Sequence, residues 1–566
     1  MKNGLILLDT ARKLVYYIIY KYNNATRVPK IQKTNCHTLW GIEKGDCMKN
    51  NNLDKFGLVK VKNPNGQFLK SVFLGLCMLI LSFGGFSFAT MMPKSHANAA
   101  DEIADEYCAE VYKGSTLYSG YPSIEDAWTY MTANYGSAYT LKIKTSQELT
   151  KELVWNDTSS SGSLTITNGN SSIILARASG FTGSFFKVTA GDFAIYASSS
   201  TNTITLLGSG MSTSASPLLY ISSAKTVNIG GTAHTDGKQS LILSNNYSSS
   251  GYSTLLVENS TGTVDINNCL FQANKATRLG PVVVITKTTT SINNCVFANN
   301  SNNDSAGALY LSATASLTAT IATSNFISNS SGGYGGALYI PSSNAKVTLT
   351  SCEFSHNTTS GAGGGAVYGY VSNINSSTFG YNSATGSSSN GGAIYANTTL
   401  TTISNSTFEG NETTKDGGAI YFANASLSSQ RTISGCNFNY NIAGTTGGAI
   451  DDLTYGSSYS LVINSSSVFD GNRAVNAAAV YFVKGATFQS CTLKYNYSSS
   501  GSIVVLDGSS GAVDVNINTV TARDNYAKNG ALFYHSGTDK TNFNITSGSY
   551  SDNVTNLGLF YQEGYG

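Results

Sequence analysis

Residues 408–422 read FEGNETTKDGGAIYF. The two ends of this stretch, F-E-G-N and G-G-A-I-Y, recur along the chain with different residues between them. Anchored on the aromatic of F-x-x-N, the copies stand at Phe271, Phe297, Phe326, Phe354, Phe379, Phe408, Phe438 and Phe469, and weaker ones follow at Leu493, Ala522 and Tyr550. Three residues after each anchor stands asparagine: Asn274, Asn300, Asn329, Asn357, Asn382, Asn411, Asn441, Asn472, Asn496, Asn525 and Asn553. The spacing varies from 24 to 31 residues, which is a repeat period and takes precedence over any local reading.

Other columns keep the same register. Five residues before the anchor the side chain is apolar, as in Ile266, Ile292, Ile321, Leu349, Ile374, Ile403, Ile433, Phe488, Ile517 and Ile545. The Phe469 copy slips, with Ile463 one place early. Two residues before it stand Cys269, Cys295, Cys352, Cys436 and Cys491, or a small residue. Strand side chains alternate faces, so positions −2 and 0 share a face and −5 does not. A sharp bend in the intervening Asn/Ser/Thr pair lets both sides point inward. Each copy therefore reads as strand, bend, short strand, turn at the asparagine, variable loop, and a strand opened by G-G-A. The asparagine is expected at a turn, where it tolerates left-handed geometry and bonds backbone.

The paired glycines are Gly335–Gly336, Gly364–Gly365, Gly391–Gly392, Gly417–Gly418 and Gly447–Gly448. They permit a tight corner. After the alanine comes an aliphatic residue, Leu309, Leu338, Val367, Ile394, Ile420, Ile450, Val480, Leu532 and Leu559, expected inside. The next residue is aromatic at Tyr310, Tyr339, Tyr368, Tyr395, Tyr421, Tyr481, Phe533 and Phe560, and alternation turns it outward. In GGAIDDL (447–453) Asp451 takes this place, which argues for a wet column. The Tyr310, Tyr339, Tyr368, Tyr395, Tyr421 and Tyr481 column is the candidate binding stripe, since aligned aromatics stack on sugar rings or anchor a partner. Its plainer role is to stabilise the stacking of rungs.

A unit of short strands cannot bury its apolar face alone, whereas stacked copies bury a continuous core. The fold expected is all-β: a parallel β-helix of the pectin-lyase-like kind, right-handed by the usual chirality of parallel crossovers. Eleven rungs at about 4.8 Å make roughly 50 Å. Composition agrees. Of 566 residues only 12% are charged and 7 are proline, 57 are glycine, and 41% are hydrophobic. That is turn-rich β structure rather than a charged, disordered chain.

Repeated F-x-x-N with G-G-A-[ILV] resembles the repeats of the chlamydial polymorphic outer membrane proteins and related repeat proteins, over about residues 264–566. The resemblance implies a β-helix passenger, exported, displayed at the surface, often adhesive, and carried in that family by a C-terminal barrel. The sequence departs from the family at "YQEGYG" (561–566), where it ends inside a strand with no barrel-sized segment following. The expectation is a truncated copy or an end that pairs with something else, and membrane contact only through a leader or a missing C-terminal segment.

The remainder divides as follows. Residues 1–47 read as an upstream extension, mistranslated or unusual, because Met48 gives a more ordinary start. Residues 48–99 read as a signal peptide: basic KVKNPNGQFLK (60–70), apolar SVFLGLCMLILSFGGFSFA (71–89), and ANA (97–99) before a cut after Ala99. A membrane-spanning anchor is the alternative, against which Gly84–Gly85 breaks the run. Residues 100–140 read as an N-terminal cap in which SIEDAWTYMTAN (123–134) forms a short helix, capped by Ser123, with Ile124, Ala127, Trp128 and Met131 on one face. Residues 141–263 read as irregular rungs, and 264–566 as the repeat helix.

The first 99 residues hold 14 basic and 4 acidic side chains, and the rest hold 20 and 28. An acidic, polar body gives no support for nucleic-acid binding. Parallel β-helices include polysaccharide lyases and hydrolases, whose chemistry needs convergent carboxylates or an acidic Ca²⁺ site. Asp451–Asp452 is the one candidate pair. Neighbours on a strand point apart, and His234, His356 and His535 are scattered. No metal, cofactor or catalytic set is expected. Cys269 and Cys295, on successive rungs, have the separation of a bridge. Buried free thiols are the favoured reading, because Cys352, Cys436 and Cys491 have no Cys on adjacent rungs. The partner expected is a surface glycan or protein, and the function an adhesin-like one without catalysis.

Overall fold

The computed structural model describes residues 107–563, apart from 209, 211–213, 232, 234–235, 250, 253, 424–425, 428, 457–458, 508–512 and 537–540. The upstream extension, the signal segment and His234 lie outside the described residues.

The chain is a parallel β-solenoid. Its clearest face is a sheet of 15 strands, one per rung, from Leu153–Asn156 to Phe560–Gln562. Four of those strands precede residue 264, so the 141–263 segments stack as rungs in the same ladder. The strand before the bend and the anchor strand form two more parallel ladders. In the last two rungs they fuse into single eleven-residue strands, Val513–Arg523 and Thr541–Ser551.

The bend falls where parity required it, three residues before the anchor. Asn268, Asn294, Thr323, Ser351, Ser376, Asn405, Gly435, Ser490 and Thr519 all have φ between 49° and 62°. In the slipped copy the bend holds two left-handed residues, Ser465 and Ser466, which absorb the extra residue and restore Ile463 to register with Ile433. The phenylalanines then stack. Rings from Phe271 to Phe469 lie 4.5–4.9 Å apart within 13° of parallel, and all are fully buried. Each buried ring contributes about 2–3 kcal/mol of transfer free energy.

The asparagine column does something other than expected. The left-handed residue is the one before it: Ala273, Asn299, Ser328, His356, Tyr381, Gly410, Tyr440, Gly471, Tyr495, Asp524 and Asp552. The asparagines themselves turn inward and form a buried amide ladder. Asn411 Nδ2 donates to Asn441 Oδ1 at 2.9 Å and to the Phe379 carbonyl at 2.9 Å, and the Asn411 backbone N–H donates to the same Oδ1 at 3.0 Å. The pattern runs unbroken from Asn274 to Asn553. At its head Arg177 donates to Asn246 Oδ1 at 3.3 Å, meeting the acceptor end of the aligned amides with a positive charge.

A second correction concerns the filler. Glu412–Thr413, inside the expected loop, is a strand of two residues, one of 11 in a parallel ladder of its own. It turns a small side chain inward five residues after each anchor, such as Thr413, Ala443 or Ala474.

The cysteine column carries free thiols, all buried in the repeats. Cys352 Sγ donates to the Ile321 and Thr350 carbonyls at 3.3 and 3.4 Å. Where serine replaces cysteine, its hydroxyl makes the same bond at the bend and also accepts from the preceding rung, as Ser377 does from Cys352 N at 3.1 Å.

At the N-terminal end, β1 (Ala109–Lys113) pairs antiparallel with β2 (Thr116–Tyr121) and with β3 (Ala138–Ile143), the first strand of the stack. Between them α1 (Ile124–Ala133) lies against β1, β2, β3 and Leu153–Asn156. Ser123 accepts from Asp126 N at 3.0 Å, and Ile124, Ala127, Trp128 and Met131 are buried. Trp128 donates to the Val154 carbonyl at 3.0 Å, so the helix covers the first rung. At the opposite end Ile545, Val554 and Leu559 are exposed.

Candidate functional site

The glycine corner sets the outer face. The first glycine of each pair is left-handed: Gly335, Gly364, Gly391, Gly417 and Gly447 have φ of 54–70°. The second is required by close approach. A Cβ on Gly336, Gly365, Gly392, Gly418 or Gly448 would stand 2.0–2.2 Å from a carbonyl oxygen of the next rung. One rung fills the corner with Ala477–Ala478 instead, holding Ala477 at φ 53°.

The strand after the corner aligns Tyr310, Tyr339, Tyr368, Tyr395, Tyr421, Asp451 and Tyr481 across successive rungs. Adjacent rings meet at 4.3–5.6 Å. The column is half-buried rather than open. Tyr334, from the loop before Gly335, lies 5.0 Å from Tyr339 and 4.9 Å from Tyr368, and Tyr421 is only 8% exposed. Burial pushes the Tyr339 phenol up to about 12. Beyond Tyr481 the register departs from expectation. Val480 pairs with Val504, and Val504 with Phe533, so Tyr534 and Tyr561 continue the column. Phe533 and Phe560 belong to the core-facing position instead, because Leu532 occupies the corner alanine's place.

Asp451 is the plainest reversal. A carboxylate in this column argues for a wet face, yet Asp451 is 1% exposed. Thr446 Oγ1 lies 2.5 Å from Asp451 Oδ2 and 2.9 Å from Asp416 Oδ1. One hydroxyl has one proton and two acidic neighbours, so one carboxyl must bring its own. Burial, reinforced by the charges of Asp416 and Asp452, raises the Asp451 carboxyl well above its ordinary range, and Asp451 is the one that keeps its proton.

Asp452 points the other way, into the core between Phe422 and Phe482. There it meets Arg431, itself 1% exposed. Arg431 Nη1 donates to Asp452 Oδ1 and Oδ2 at 2.9 and 3.0 Å and to Tyr459 and Thr454 hydroxyls at 2.8 Å, and its Nε donates to the Leu400 carbonyl at 2.9 Å. The guanidinium sits 3.7 Å from the Phe422 ring centroid. Tyr459 also donates to Asp452. The adjacent carboxylates therefore do not converge on a groove: one is covered by a loop and one is an interior ion pair. Sequence reading missed Arg431, whose signal was a charge in a column of aliphatic residues and threonine, opposite Leu461. His356 stands at a corner turn and His535 in the core. Among the described residues no three His, Cys, Asp or Glu gather as a metal site, and no helix is long and apolar enough to cross a membrane.

Three strongly exposed aromatics of the repeats lie elsewhere, at the left-handed corner before the asparagine. Tyr381, Tyr440 and Tyr495 are 41%, 58% and 50% exposed. The rungs between them have glycine there. A Cβ on Gly410 would meet the Tyr381 ring at 2.7 Å, and one on Gly471 the Tyr440 ring at 2.6 Å. The sequence carried the alternation Tyr-Gly-Tyr-Gly-Tyr openly, but without the backbone nothing marked that position as a corner.

The family model for the Chlamydia polymorphic membrane protein (Chlamydia_PMP) repeat matches residues 405–423. No curated protein and no solved structure matches the chain.

Proposed function

We propose that this chain, which carries the Chlamydia polymorphic membrane protein repeat, is an exported solenoid, surface-displayed or released, that works by binding rather than catalysis. One observation carries the reading. The recurring residues are consumed by the scaffold, as core rings, amide ladder and corner glycines, and what remains to meet a partner is the outer aromatic side chains. The basic-then-apolar leader and the acidic, polar body fit export, and the repeat family fits the cell surface or outer membrane. The partner class is a glycan or a protein of another surface.

Protease shaving of intact cells, with antibody to the repeat region, tests display. Binding of the purified chain to cells and immobilised glycans tests function. Substituting Tyr339, Tyr368, Tyr395 and Tyr421 by serine separates the half-buried column's two roles. Loss of binding with the fold intact makes it the contact surface, and unchanged binding makes it a rung-stacking device.

The alternative, a β-helix polysaccharide lyase or hydrolase using Asp451 and Asp452, has those residues against it, since Asp452 is spent on Arg431 inside the core. Release of reducing ends or unsaturated products from polyuronate, abolished by Asp451→Asn, would revive it.

A further inference from the structure

We propose that the corner ridge of Tyr381, Tyr440 and Tyr495 binds an extended β-1,4-linked polysaccharide, each ring stacking on every second sugar of the chain. The inference rests on the chain being a binding solenoid, but it names a different surface and a ligand class.

Three observations converge. The first is spacing. Tyr381, Gly410, Tyr440, Gly471 and Tyr495 occupy one register position on five successive rungs, because their anchors Phe379, Phe408, Phe438, Phe469 and Leu493 pair in order. Consecutive rings are therefore two rungs apart, about 10 Å at a strand spacing near 4.8 Å. That is the length of one disaccharide in a flat β-1,4-linked chain, in which alternate sugars present the same face. A helical α-linked glucan has no such flat repeat.

The second is exposure. All three tyrosines sit at φ 55–57°, a conformation that bulky side chains rarely adopt and that glycine takes freely. The intervening rungs do use glycine. The corner imposes that backbone on every rung from Ala273 to Asp552, so the strain belongs to the scaffold. What sets these three rungs apart is a large, exposed ring at a position that a smaller residue fills elsewhere.

The third is what lies between the rings. The residue after the anchor faces outward beside the ridge. On the two glycine rungs it is a carboxylate, Glu409 and Asp470, giving the order Tyr381, Glu409, Tyr440, Asp470, Tyr495. Glu409 accepts from Tyr381 Oη at 3.1 Å, and Asp470 Oδ2 pairs with Lys494 Nζ at 3.0 Å. Asp470 Oδ1 is buried, so a sugar reaches this side chain only at the Oδ2 paired with Lys494. A sugar on the intervening rung would supply hydroxyl donors to the outer carboxylate oxygens while its neighbours stack on tyrosine. The ridge thus alternates apolar face and acceptor at the period of the polymer.

The test is co-sedimentation of the purified chain with crystalline cellulose and with chitin, with soluble amylose as competitor. The expected result is binding to at least one of the two insoluble polymers that amylose does not displace. Tyr440→Gly, at the centre, weakens binding by about three- to tenfold, the worth of one aromatic stack. The triple variant Tyr381→Gly, Tyr440→Gly, Tyr495→Gly abolishes it while melting at the same or a higher temperature, because glycine relieves the left-handed backbone. No sedimentation with either polymer overturns the proposal, as does unchanged binding by the triple variant or full displacement by amylose. If the chain binds cells but neither polymer, the ridge proposal fails and the reading of the chain as a binding solenoid stands.

Discussion

Asn411 and Asn441, on neighbouring rungs, are joined through their side-chain amides at 2.9 Å, and each amide has both donors and its acceptor filled inside the core. Removing one member breaks bonds on both sides, since Asn382 loses its acceptor and Asn441 Oδ1 keeps only the backbone N–H of its two donors. Asn411→Ala is expected to cost about 3–5 kcal/mol, several unmet buried groups at once, measured by urea unfolding. Asn411→Asp keeps the shape but puts a carboxylate oxygen against Asn441 Oδ1, so it is expected to be worse at neutral pH and to recover in acid.

The order of these residues along the chain was legible. F-x-x-N and G-G-A located every rung of the repeat and the bend, because each column has one physical requirement and one residue type that meets it. What the asparagine does was not legible. A turn asparagine and a ladder asparagine have the same spacing, and only the φ of the preceding residue separates them. Asp451 misled for a related reason. Whether its column is wet depends on Thr446 and Tyr334, which stand in the filler between motifs where no repeat constrains them. Phe533 slipped because Leu532, and not Ala531, stands at the corner alanine's place, a shift of one residue that the motif does not mark. Tyr440 was missed because its column holds Ala, Asn, Ser, His, Tyr, Gly and Asp, and conformation rather than chemistry is what these residues share.

Asp451 predicts a pH dependence. The folded state holds a proton that the unfolded chain releases near its ordinary value of 3.8. Stability from this group is complete below that value and is lost as pH rises toward the elevated folded one. Asp451→Asn removes the titration. The variant is expected to gain on the wild type steadily from about pH 4 upward, read as the difference in melting temperature. A difference flat in pH would show that Asp451 is ionised in the fold.

The Arg431–Asp452 pair predicts a non-additive cycle. Asp452→Ala leaves a buried guanidinium and is expected to cost about 3–5 kcal/mol. The double variant Arg431→Leu, Asp452→Phe matches Leu461 and the flanking Phe422 and Phe482, and is expected to return to wild-type stability or exceed it. Additive losses would mean that the ion pair stabilises in its own right.

The thiols predict an accessibility pattern. Burial pushes Cys352 and Cys436 up to about 11 and Cys491 to about 12, and Cys269 higher than its usual range as well. In the native protein, alkylation followed by peptide mapping is expected to label Cys108 and spare the five repeat cysteines. In denaturant without reductant all six cysteines of residues 107–563 react. A Cys269–Cys295 disulfide would leave two unlabelled.

The repeat motif is scaffold, and the exposed corner tyrosines are what it holds out. Binding to cells and polysaccharide by Phe408→Ala and Tyr440→Gly, each measured below its own melting temperature, separates the two roles. Phe408→Ala is expected to lose about 3–5 kcal/mol of stability yet bind as the wild type does, while Tyr440→Gly keeps its stability and binds about three- to tenfold more weakly. The reverse pattern, a folded Phe408→Ala that no longer binds beside a Tyr440→Gly that binds normally, would contradict this division of roles.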